Sequence, residues 1–349
     1  MHNQHTMTSL DVAPPAPGTM QKLADDLYWM RFTLPFRLNH INLFALDTAA
    51  GWLLLDCGIK GDATAAQWQV MLDGPLAGKP VAGIIVSHYH ADHVGYAGAL
   101  AALTGAPIYM GAVEYEQACW GLAQNAADYA ATICDAYKKF GLAKTHIADA
   151  QQAGNYYRFL TGDLPEVTII DDTHKFETIA GSWTVRFDAG HSPGHMSLTD
   201  RSRRLHICVD FLLPRISPNI SAKLRNLDSD MLANYMDYLH SMTSCPQDWL
   251  IIPGHDWPYY GGAVRARQLL AHHDARLDQL LAAIGDRAIS TNDAMLALFP
   301  FEMTGHEVFF ASCEARAHLT HLVSRGQLVK TQNAAGVDMF QKPPKRRVS

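Results

Sequence analysis

Short apolar runs recur along the chain and are separated by loops rich in glycine, proline and polar residues. Runs that are rich in β-branched and aromatic residues and are bounded by such loops predict strands. We expect these strands at residues 27–32, 41–46, 52–56, 81–86, 107–110, 183–188, 196–200, 204–209 and 249–253. The pattern therefore predicts a sheet-based core.

One region between these strands has a different pattern. The span 111–181 is longer than a simple connection requires, and residues 114–140 are rich in alanine, tyrosine and other helix formers. Gly141 is a helix stop signal at the end of that stretch. We therefore expect a helical insertion at about residues 112–180.

The C-terminal part of the chain is predominantly helical in pattern. An amphipathic helix is expected at 262–284, a short capped helix through Leu298, and a third helix at 307–325 that ends at Gly326. The segments 327–331 and 337–341 favour a small hairpin.

The candidate chemistry begins directly after the predicted strand 81–86. There the sequence Ser-His-Tyr-His-Ala-Asp-His supplies His88, His90, Asp92 and His93 within six positions. So short a segment cannot bring four ligands comfortably to one ion, so a second ion is expected near Asp92 and His93. Imidazole nitrogens with one carboxylate suit zinc best, with manganese and iron as alternatives.

Further candidate ligands follow three later strands, each where an apolar run ends. They are His191 and His195 in a glycine-rich turn, Asp210 after the run 205–209, and His255 after Pro253-Gly254. Glycines at 190 and 194 allow a tight turn that aims a histidine inward. The sequence therefore predicts a metal site at one sheet edge.

Over residues 25–260 the chain resembles the metallo-β-lactamase superfold, whose His-x-His-x-Asp-His motif and later Gly-His, Asp and Gly-His positions it matches in order. The resemblance implies an α/β fold of the αββα type, with the helical insertion and a small C-terminal domain. It assigns one metal to His88, His90 and His191. A second metal takes Asp92, His93 and His255, and Asp210 bridges the two with a water.

The same resemblance gives roles to neighbouring residues. Asp56, in an Asp-x-Gly turn, is expected to hold a ligand histidine or the water in place. His195 resembles a second histidine of glyoxalase II-like members, which leaves two interpretations: a donor that supports the metal ligands or faces the substrate, or a histidine satisfied by backbone groups. Cys208 is interpreted as a packing residue. Arg215 and Asn219, in the loop after Asp210, are substrate candidates, with a surface arginine and a turn asparagine as the alternative.

The implied activity is hydrolysis by a water that two divalent metal ions activate, with catalytic roles for Asp92, Asp210 and His195. The leading substrates are a small-molecule thioester, ester or lactone, as in the glyoxalase II and lactonase-like branch. The alternatives are a hydrolytic dehalogenase, a phosphodiesterase or ribonuclease, and a non-enzymatic metal-binding module. No other cofactor is expected.

Composition and charge limit the partners. The net charge of −6 gives no general attraction for nucleic acid or membranes, and no apolar stretch reaches membrane-spanning length. The six cysteines show no paired spacing, which favours a reducing, cytoplasmic location. We expect a small-molecule substrate and no nucleic-acid or membrane partner.

Four segments describe the expected domain organisation. Residues 1–20 are expected to be disordered, 21–262 to form the catalytic domain, 263–341 to form a winged-helix-like extension, and 342–349 to be a basic tail. The predicted third helix of the extension lacks a basic reading face. We therefore expect the extension to pack on the catalytic domain, to act as a lid, or to mediate dimerisation, which would give a homodimer.

Overall fold

Two large sheets pack against each other and enclose an apolar core between them. The computed structural model describes residues 6–344 and contains two seven-stranded sheets and one three-stranded sheet. Both large sheets contribute to the core between them, which includes Leu27, Trp29, Phe44, Leu55 and Ile85 from one sheet and Trp183, Leu198, Ile207 and Ile252 from the other.

In chain order, the strands are β1 Thr8–Ser9, β2 Gln21–Lys22, β3 Leu27–Thr33, β4 His40–Thr48, β5 Gly51–Leu55, β6 Val81–Val86, β7 Ile108–Gly111, β8 Thr168–Ile170, β9 Lys175–Glu177, β10 Ser182–Asp188, β11 His195–Asp200, β12 Leu205–Val209, β13 Leu250–Pro253, β14 Tyr259–Tyr260, β15 Ile289–Ser290, β16 Val329–Gln332 and β17 Asp338–Gln341. The helices are α1 Asp62–Asp73, α2 Ala91–Val94, α3 Ala97–Thr104, α4 Ala112–Ala123, α5 Ala126–Phe140, α6 Lys144–Ala153, α7 Tyr156–Leu160, α8 Met231–Met242, α9 Gly262–Ile284, α10 Thr291–Leu298 and α11 Gly305–Ser324.

The first large sheet has the order β2-β3-β4-β5-β6-β7-β8 and the second has the order β1-β14-β13-β12-β11-β10-β9. The first is antiparallel from β2 to β5 and parallel from β5 to β8. In the second, only β12 and β13 are parallel among the described strands. Each sheet is therefore mixed.

The first sheet is buried on both faces, which explains its near-continuous apolar runs. In β4, Phe44 and Leu46 lie in the core between the sheets, whereas Leu43 and Ala45 pack on the other face with Trp68 of α1. Side chains from α3 and α4 join that second core. With helices outside the paired sheets, the chain has the α/β sandwich that the sequence predicted, and the small C-terminal domain follows it.

The nine strands expected from the apolar runs are all present, with ends that move by at most two residues. Several expectations need correction, and the first concerns the N-terminal segment. The segment 6–20 is not disordered, because Thr8 and Ser9 pair with Tyr260 and Tyr259 at the edge of the second sheet. Residues 1–5, and 345–349 of the basic tail, lie outside the described residues.

The predicted insertion is also only partly helical. The helix expected over 114–140 is two helices, because Asn125 begins α5 as its N-cap and accepts a hydrogen bond from the Asp128 amide. Beyond Leu160, β8 and β9 extend the first and second sheets, respectively. These strands are short edge strands, too short to give a clear alternating pattern.

The chain divides into two compact units that differ from the predicted boundaries. The first comprises Met1–Ala123, Tyr156–Pro218 and Ser241–Ala266, and the second comprises Gln124–Asn155, Asn219–His240 and Arg267–Ser349. Distant segments join the second unit through contacts such as the hydrogen bond of 2.9 Å from the Ala222 amide to the Cys313 carbonyl. A division into contiguous segments could not anticipate this.

Within the second unit, β15, β17 and β16 form the small sheet beside α10 and α11. In chain order this region contains a helix (α9), a short strand (β15), two helices (α10 and α11) and a hairpin (β16 and β17), an arrangement that resembles a winged helix. A capping box at Thr304 and Glu307 begins α11 before the predicted start. Across the described part of the chain, none of the helices combines the length and apolar character that a membrane crossing requires.

Candidate metal centre

The first ligand loop joins the end of β6 to the short helix α2. His88 and His93 are completely buried, and His90 has extended backbone angles just before the helix begins. The loop therefore turns within a few residues, and its ligands separate into two groups as expected from their spacing.

The structure brings the predicted ligands together in two groups of three. The first triad is His88, His90 and His191, and the second triad is Asp92, His93 and His255; in each, one ligand atom per residue lies within 4.8 Å of the others. A further such group joins Asp210 with His88 and His93. Every predicted ligand therefore belongs to one cluster within the first unit.

Asp210 lies between the two triads. Its Oδ2 is 3.4 Å from Nε2 of His93, 3.4 Å from Nε2 of His191 and 3.5 Å from Nε2 of His255. Among the described residues its Oδ1, which is buried, has no hydrogen-bond partner. A buried carboxylate oxygen without a partner is costly, so this atom is well suited to contact an ion or a water.

Backbone conformations that are rare for non-glycine residues occur beside these ligands. Asp56, Val209 and Asp256 have φ angles of 64°, 46° and 66°. Val209 is the least usual, because β-branched residues strongly disfavour positive φ. The β12–β13 register also shifts between Ile207 and Val209. This bulge turns the chain just before Asp210, and such strain is typical of functional sites.

Asp56 supports the first ligand loop through several hydrogen bonds. Its Oδ2 lies 2.8 Å from Nδ1 of His93 and accepts a hydrogen bond from the Ser87 hydroxyl at 2.8 Å. The Ser87 amide donates to Asp56 Oδ1 at 2.8 Å, and the Ser87 hydroxyl lies 2.9 Å from Nδ1 of His88. Asp56 is thus placed to orient a ligand histidine, the role the resemblance implied.

His255 is supported by a residue that sequence reasoning missed. Its Nδ1 lies 2.8 Å from the carbonyl oxygen of His40, and the Asp256 amide donates to Nε2 of His40 at 2.8 Å. Nearby, the side-chain amide of Asn42 donates to the carbonyls of Pro253 and Asp256 at 3.0 and 3.1 Å. No motif surrounds His40, because these contacts depend on strands that are distant in sequence.

Burial lowers the pKa of two first-triad histidines, His88 and His90. The pKa of His88 lies well below its ordinary value because the ring is buried and other histidines, His93 first among them, surround it. Burial and the neighbouring His191 lower the pKa of His90 to about 3. Both rings are therefore neutral at physiological pH, which is the form that binds a metal.

The pKa values of the second-triad histidines, His93 and His255, are raised instead. Burial opposes the charged form, but the carboxylates of Asp92 and Asp210 hold the pKa of His93 well above its ordinary value. For His255 burial is likewise outweighed by the same two carboxylates, which raise its pKa to about 10. The negative charge that favours a proton here equally favours a divalent cation. The donor set fits a binuclear metal site.

His195 is buried beside the metal ligands His88 and Asp210. It is 1% exposed, its ring centroid lies 4.7 Å from that of His88, and its Nε2 accepts a hydrogen bond from the Asp210 amide at 3.3 Å. The interpretation in which backbone groups satisfy His195 fits this geometry. The same contacts fit a histidine that supports the ligands, and its catalytic role stays a prediction.

The two substrate candidates have different surroundings. Arg215 is largely exposed, with its guanidinium 5.4 Å from the Trp257 ring and 3.8 Å from Asp256 Oδ1. Asn219 belongs to the second unit, where its side-chain amide donates to Glu314 Oε2 at 2.9 Å. The substrate roles of Arg215 and Asn219 stay predictions.

Cys208 is a packing residue, as expected. Its thiol is fully buried and contacts the carbonyl oxygens of Leu212 and Ile252 at 3.6 and 3.5 Å. Burial raises the pKa of this thiol beyond the range in which it would ionise in water.

Comparison with known proteins agrees with this geometry. Residues 37–255 match the metallo-beta-lactamase superfamily, and residues 277–343 match the metallo-beta-lactamase-like C-terminal domain. No curated protein matches the chain closely enough to count as a relative.

Several solved structures are similar. A beta-lactamase domain protein from Burkholderia ambifaria is 31% identical, covers 97% of this chain and 99% of its own, and has a TM-score of 0.89. A metallo-beta-lactamase family protein from Thermus thermophilus is 21% identical over 92% of this chain and 100% of its own, with a TM-score of 0.77. A sec-alkylsulfatase from Pseudomonas sp. is 15% identical over 86% of this chain and 49% of its own, with a TM-score of 0.52. The last two show the fold alone.

The superfamily match covers more than half of the chain and includes every residue of both triads. The chain belongs to the metallo-beta-lactamase superfamily and carries a C-terminal domain of the metallo-beta-lactamase-like type.

Proposed function

We propose that the protein is a metal-dependent hydrolase that holds two divalent ions and cleaves a small-molecule thioester, ester or lactone. The observation that carries the proposal is the pair of ligand triads with Asp210 between them. Zinc suits a set of imidazole nitrogens and carboxylate oxygens, and manganese or iron are the alternatives. A closed structural zinc site uses four ligands, so seven ligands favour a catalytic centre over a purely structural one.

The two triads and Asp210 would hold two divalent ions, which when bound would supply Lewis acidity toward a carbonyl oxygen and would lower the pKa of water at the site. The side chains of the site supply orientation and proton transfer. Burial opposes ionisation of Asp92, but the charge of His93 and a hydrogen bond from His255 lower its pKa to about 2. Asp92 is therefore ionised at neutral pH, which is the form that binds a metal and accepts hydrogen bonds.

We assign different roles to Asp92 and Asp210 because their side chains differ in solvent exposure. The Asp92 side chain is 24% exposed and the Asp210 side chain is 7% exposed. Asp92 is thus placed to exchange protons with a leaving group, whereas Asp210 can accept a hydrogen bond from the attacking water through its unpartnered Oδ1. Neither task requires a serine or cysteine nucleophile.

Aspartate at 92 and 210 supports the glyoxalase II and lactonase-like branch over β-lactamases that place cysteine in such a site. The net charge of −6 gives no general attraction for a polyanion, which disfavours a nuclease. A hydrolytic dehalogenase and a phosphodiesterase remain as outcomes of the substrate test.

The metal proposal is tested by elemental analysis of the purified protein after loading with zinc, manganese or iron. We expect about two ions per chain in the wild type and fewer in the His88→Ala plus His90→Ala variant, which removes two first-triad ligands. His240→Ala, at an exposed position of α8, is the matched control. No metal in the wild type, or unchanged occupancy in the double variant, would refute the assignment.

The substrate proposal is tested by a hydrolysis screen of the metal-loaded protein. Thioesters, lactones, aryl esters, phosphodiesters and haloaromatic compounds cover the proposed and alternative reactions. Metal-dependent turnover of a thioester, ester or lactone supports the proposal. Turnover restricted to phosphodiesters or haloaromatics would replace it with one of the alternatives, and bound metal without any turnover would favour a binding module.

A further inference from the structure

A buried glutamate links the two loops that supply the first triad. Glu114 lies in the first turn of α4, immediately after β7, and its side chain is completely buried. Glutamate is rarely buried to this extent without specific partners. Its surroundings therefore indicate a defined role.

The Glu114 carboxylate accepts hydrogen bonds from both ligand loops. Its Oε2 accepts one from the Tyr89 amide at 2.8 Å. Its Oε1 accepts one from the Ser192 hydroxyl at 2.7 Å and another from the Gly194 amide. Tyr89 lies between the ligands at 88 and 90, and Ser192 follows the ligand at 191, so one side chain holds both sides of the triad.

The local backbone is arranged to admit this carboxylate. A Cβ atom added at Gly194 would lie 3.1 Å from Cβ of Val113, so glycine permits the close approach of the second loop to α4. The first turn of a helix favours a negative charge. The Tyr89 amide, the Ser192 hydroxyl and the Gly194 amide are all donors. A glutamine side chain, whose nitrogen is itself a donor, could not replace both carboxylate oxygens.

We propose that Glu114 is a positioning residue that sets the distance between His90 and His191 and thereby tunes metal binding at the first triad. The inference rests on the proposed metal site. The groups that donate to Glu114 belong to the loops that carry all three first-triad ligands. His40 contacts only His255 of the second triad among the ligands, whereas Asp56 contacts His93 directly and reaches His88 through Ser87. We therefore expect loss of Glu114 to weaken one metal position selectively.

The test is a cobalt(II) titration of apoprotein, followed by visible absorption, for the wild type, Glu114→Gln and Glu116→Gln. Glu116 lies on the same helix with an exposed side chain and is the matched control. The His88→Ala plus His90→Ala variant identifies which binding step belongs to the first triad. Loss of a residue that orients metal ligands weakens metal binding by about 10–100-fold.

We expect Glu114→Gln to weaken the first-triad step by about tenfold or more, while the other step and the Glu116→Gln protein stay near the wild type. Equal weakening of both steps would indicate a general structural role and overturn the inference, as would two unchanged steps. If the wild type binds no cobalt, the metal site itself is refuted. If the wild type shows two cobalt-binding steps and both are unchanged in Glu114→Gln, only the role of Glu114 is refuted.

A second variant covers the case in which Glu114→Gln does not fold. Ser192→Ala removes one of the three donors and leaves the carboxylate in place. The first-triad step should weaken in the same direction with a smaller fold-change. A cobalt affinity equal to that of the wild type in this variant would then overturn the inference.

Discussion

Oδ2 of Asp56 lies 2.8 Å from Nδ1 of His93, which leaves Nε2 of that ring facing Asp92 and Asp210. The hydrogen bond fixes which nitrogen carries the proton and which one faces the site. Asp56 itself is buried with a φ of 64°, so the fold holds an uncommon backbone conformation at the residue that orients the ligand.

Replacing Asp56 with asparagine is expected to weaken metal binding at the second triad by about tenfold or more. Asparagine keeps the shape, but its nitrogen would oppose the donors of Ser87 or His93. Chelator competition on the metal-loaded protein measures the change. Asp73→Asn, at an exposed position of α1, is the control, and equal affinities in the two variants would contradict the assigned role.

Replacing Asp210 with asparagine is expected to keep the fold and lower turnover by about a hundredfold or more. The amide is nearly isosteric, but it removes the negative charge that faces His93, His191 and His255. Thermal unfolding checks the fold and steady-state kinetics check activity. Rates like those of the wild type at saturating substrate would show that Asp210 is not part of the centre.

Replacing Arg215 with alanine is expected to raise KM by about fivefold and leave kcat nearly unchanged, because an exposed cation that binds a substrate equally in ground and transition states affects binding alone. The side chain is 62% exposed and is held beside Trp257. Kinetics on a substrate found by the screen give the two constants. Arg201→Ala, which is also exposed, should match the wild type. A KM no different from that control would remove Arg215 from the substrate site.

Glu314 in the second unit should give the stability a distinct pH dependence. Burial raises its pKa from 4.5 to about 7, against the opposing effects of Arg276 and Asn219. The unfolded carboxyl ionises first, so stability is retained below pH 4.5 and lost as the pH rises through about 7. The shift corresponds to about 3 kcal/mol.

Glu314→Gln should therefore be more stable than the wild type above pH 7 and lose that advantage below pH 4.5. Urea denaturation across this range, with Glu302→Gln as the exposed control, measures the difference between the proteins. A difference that does not change with pH would contradict the prediction.

We expect no tight binding of nucleic acid by the winged-helix-like region. In α11, Arg316 is 1% exposed, and its guanidinium pairs with Asp228 at 2.9 Å and Asp338 at 2.8 Å. It therefore cannot release counterions from a phosphate backbone, the main source of such affinity. Fluorescence anisotropy with duplex and single-stranded probes tests this. Submicromolar, salt-sensitive binding would overturn the prediction and favour the nuclease alternative.

The sequence was sufficient to predict the strands because they depend on local patterns, whereas the grouping of the distant metal ligands was implied by the resemblance of the ordered motifs. The apolar run 81–86 and the ligand spacing after it leave few alternatives. By contrast, His40 and Glu114 act through contacts with loops that are far away in sequence. Their residue types are ordinary, and no local motif distinguishes them.

The N-terminal edge strand was missed for a similar reason. The edge strand at Thr8 is two residues long, and its partner at Tyr260 is near the other end of the first unit in sequence. Pairings of this kind require knowledge of the whole fold.

The wide separation of the ligands along the chain also determines when the centre can form. His88 and His255 follow strands of different sheets, and they meet only after the intervening strands have paired and the sheets have packed. Closing such long loops is entropically costly and must be offset by the packing of the sheets before the ligands can meet. We therefore expect metal acquisition to follow folding, so that tight binding of both ions identifies molecules that have already reached the native state.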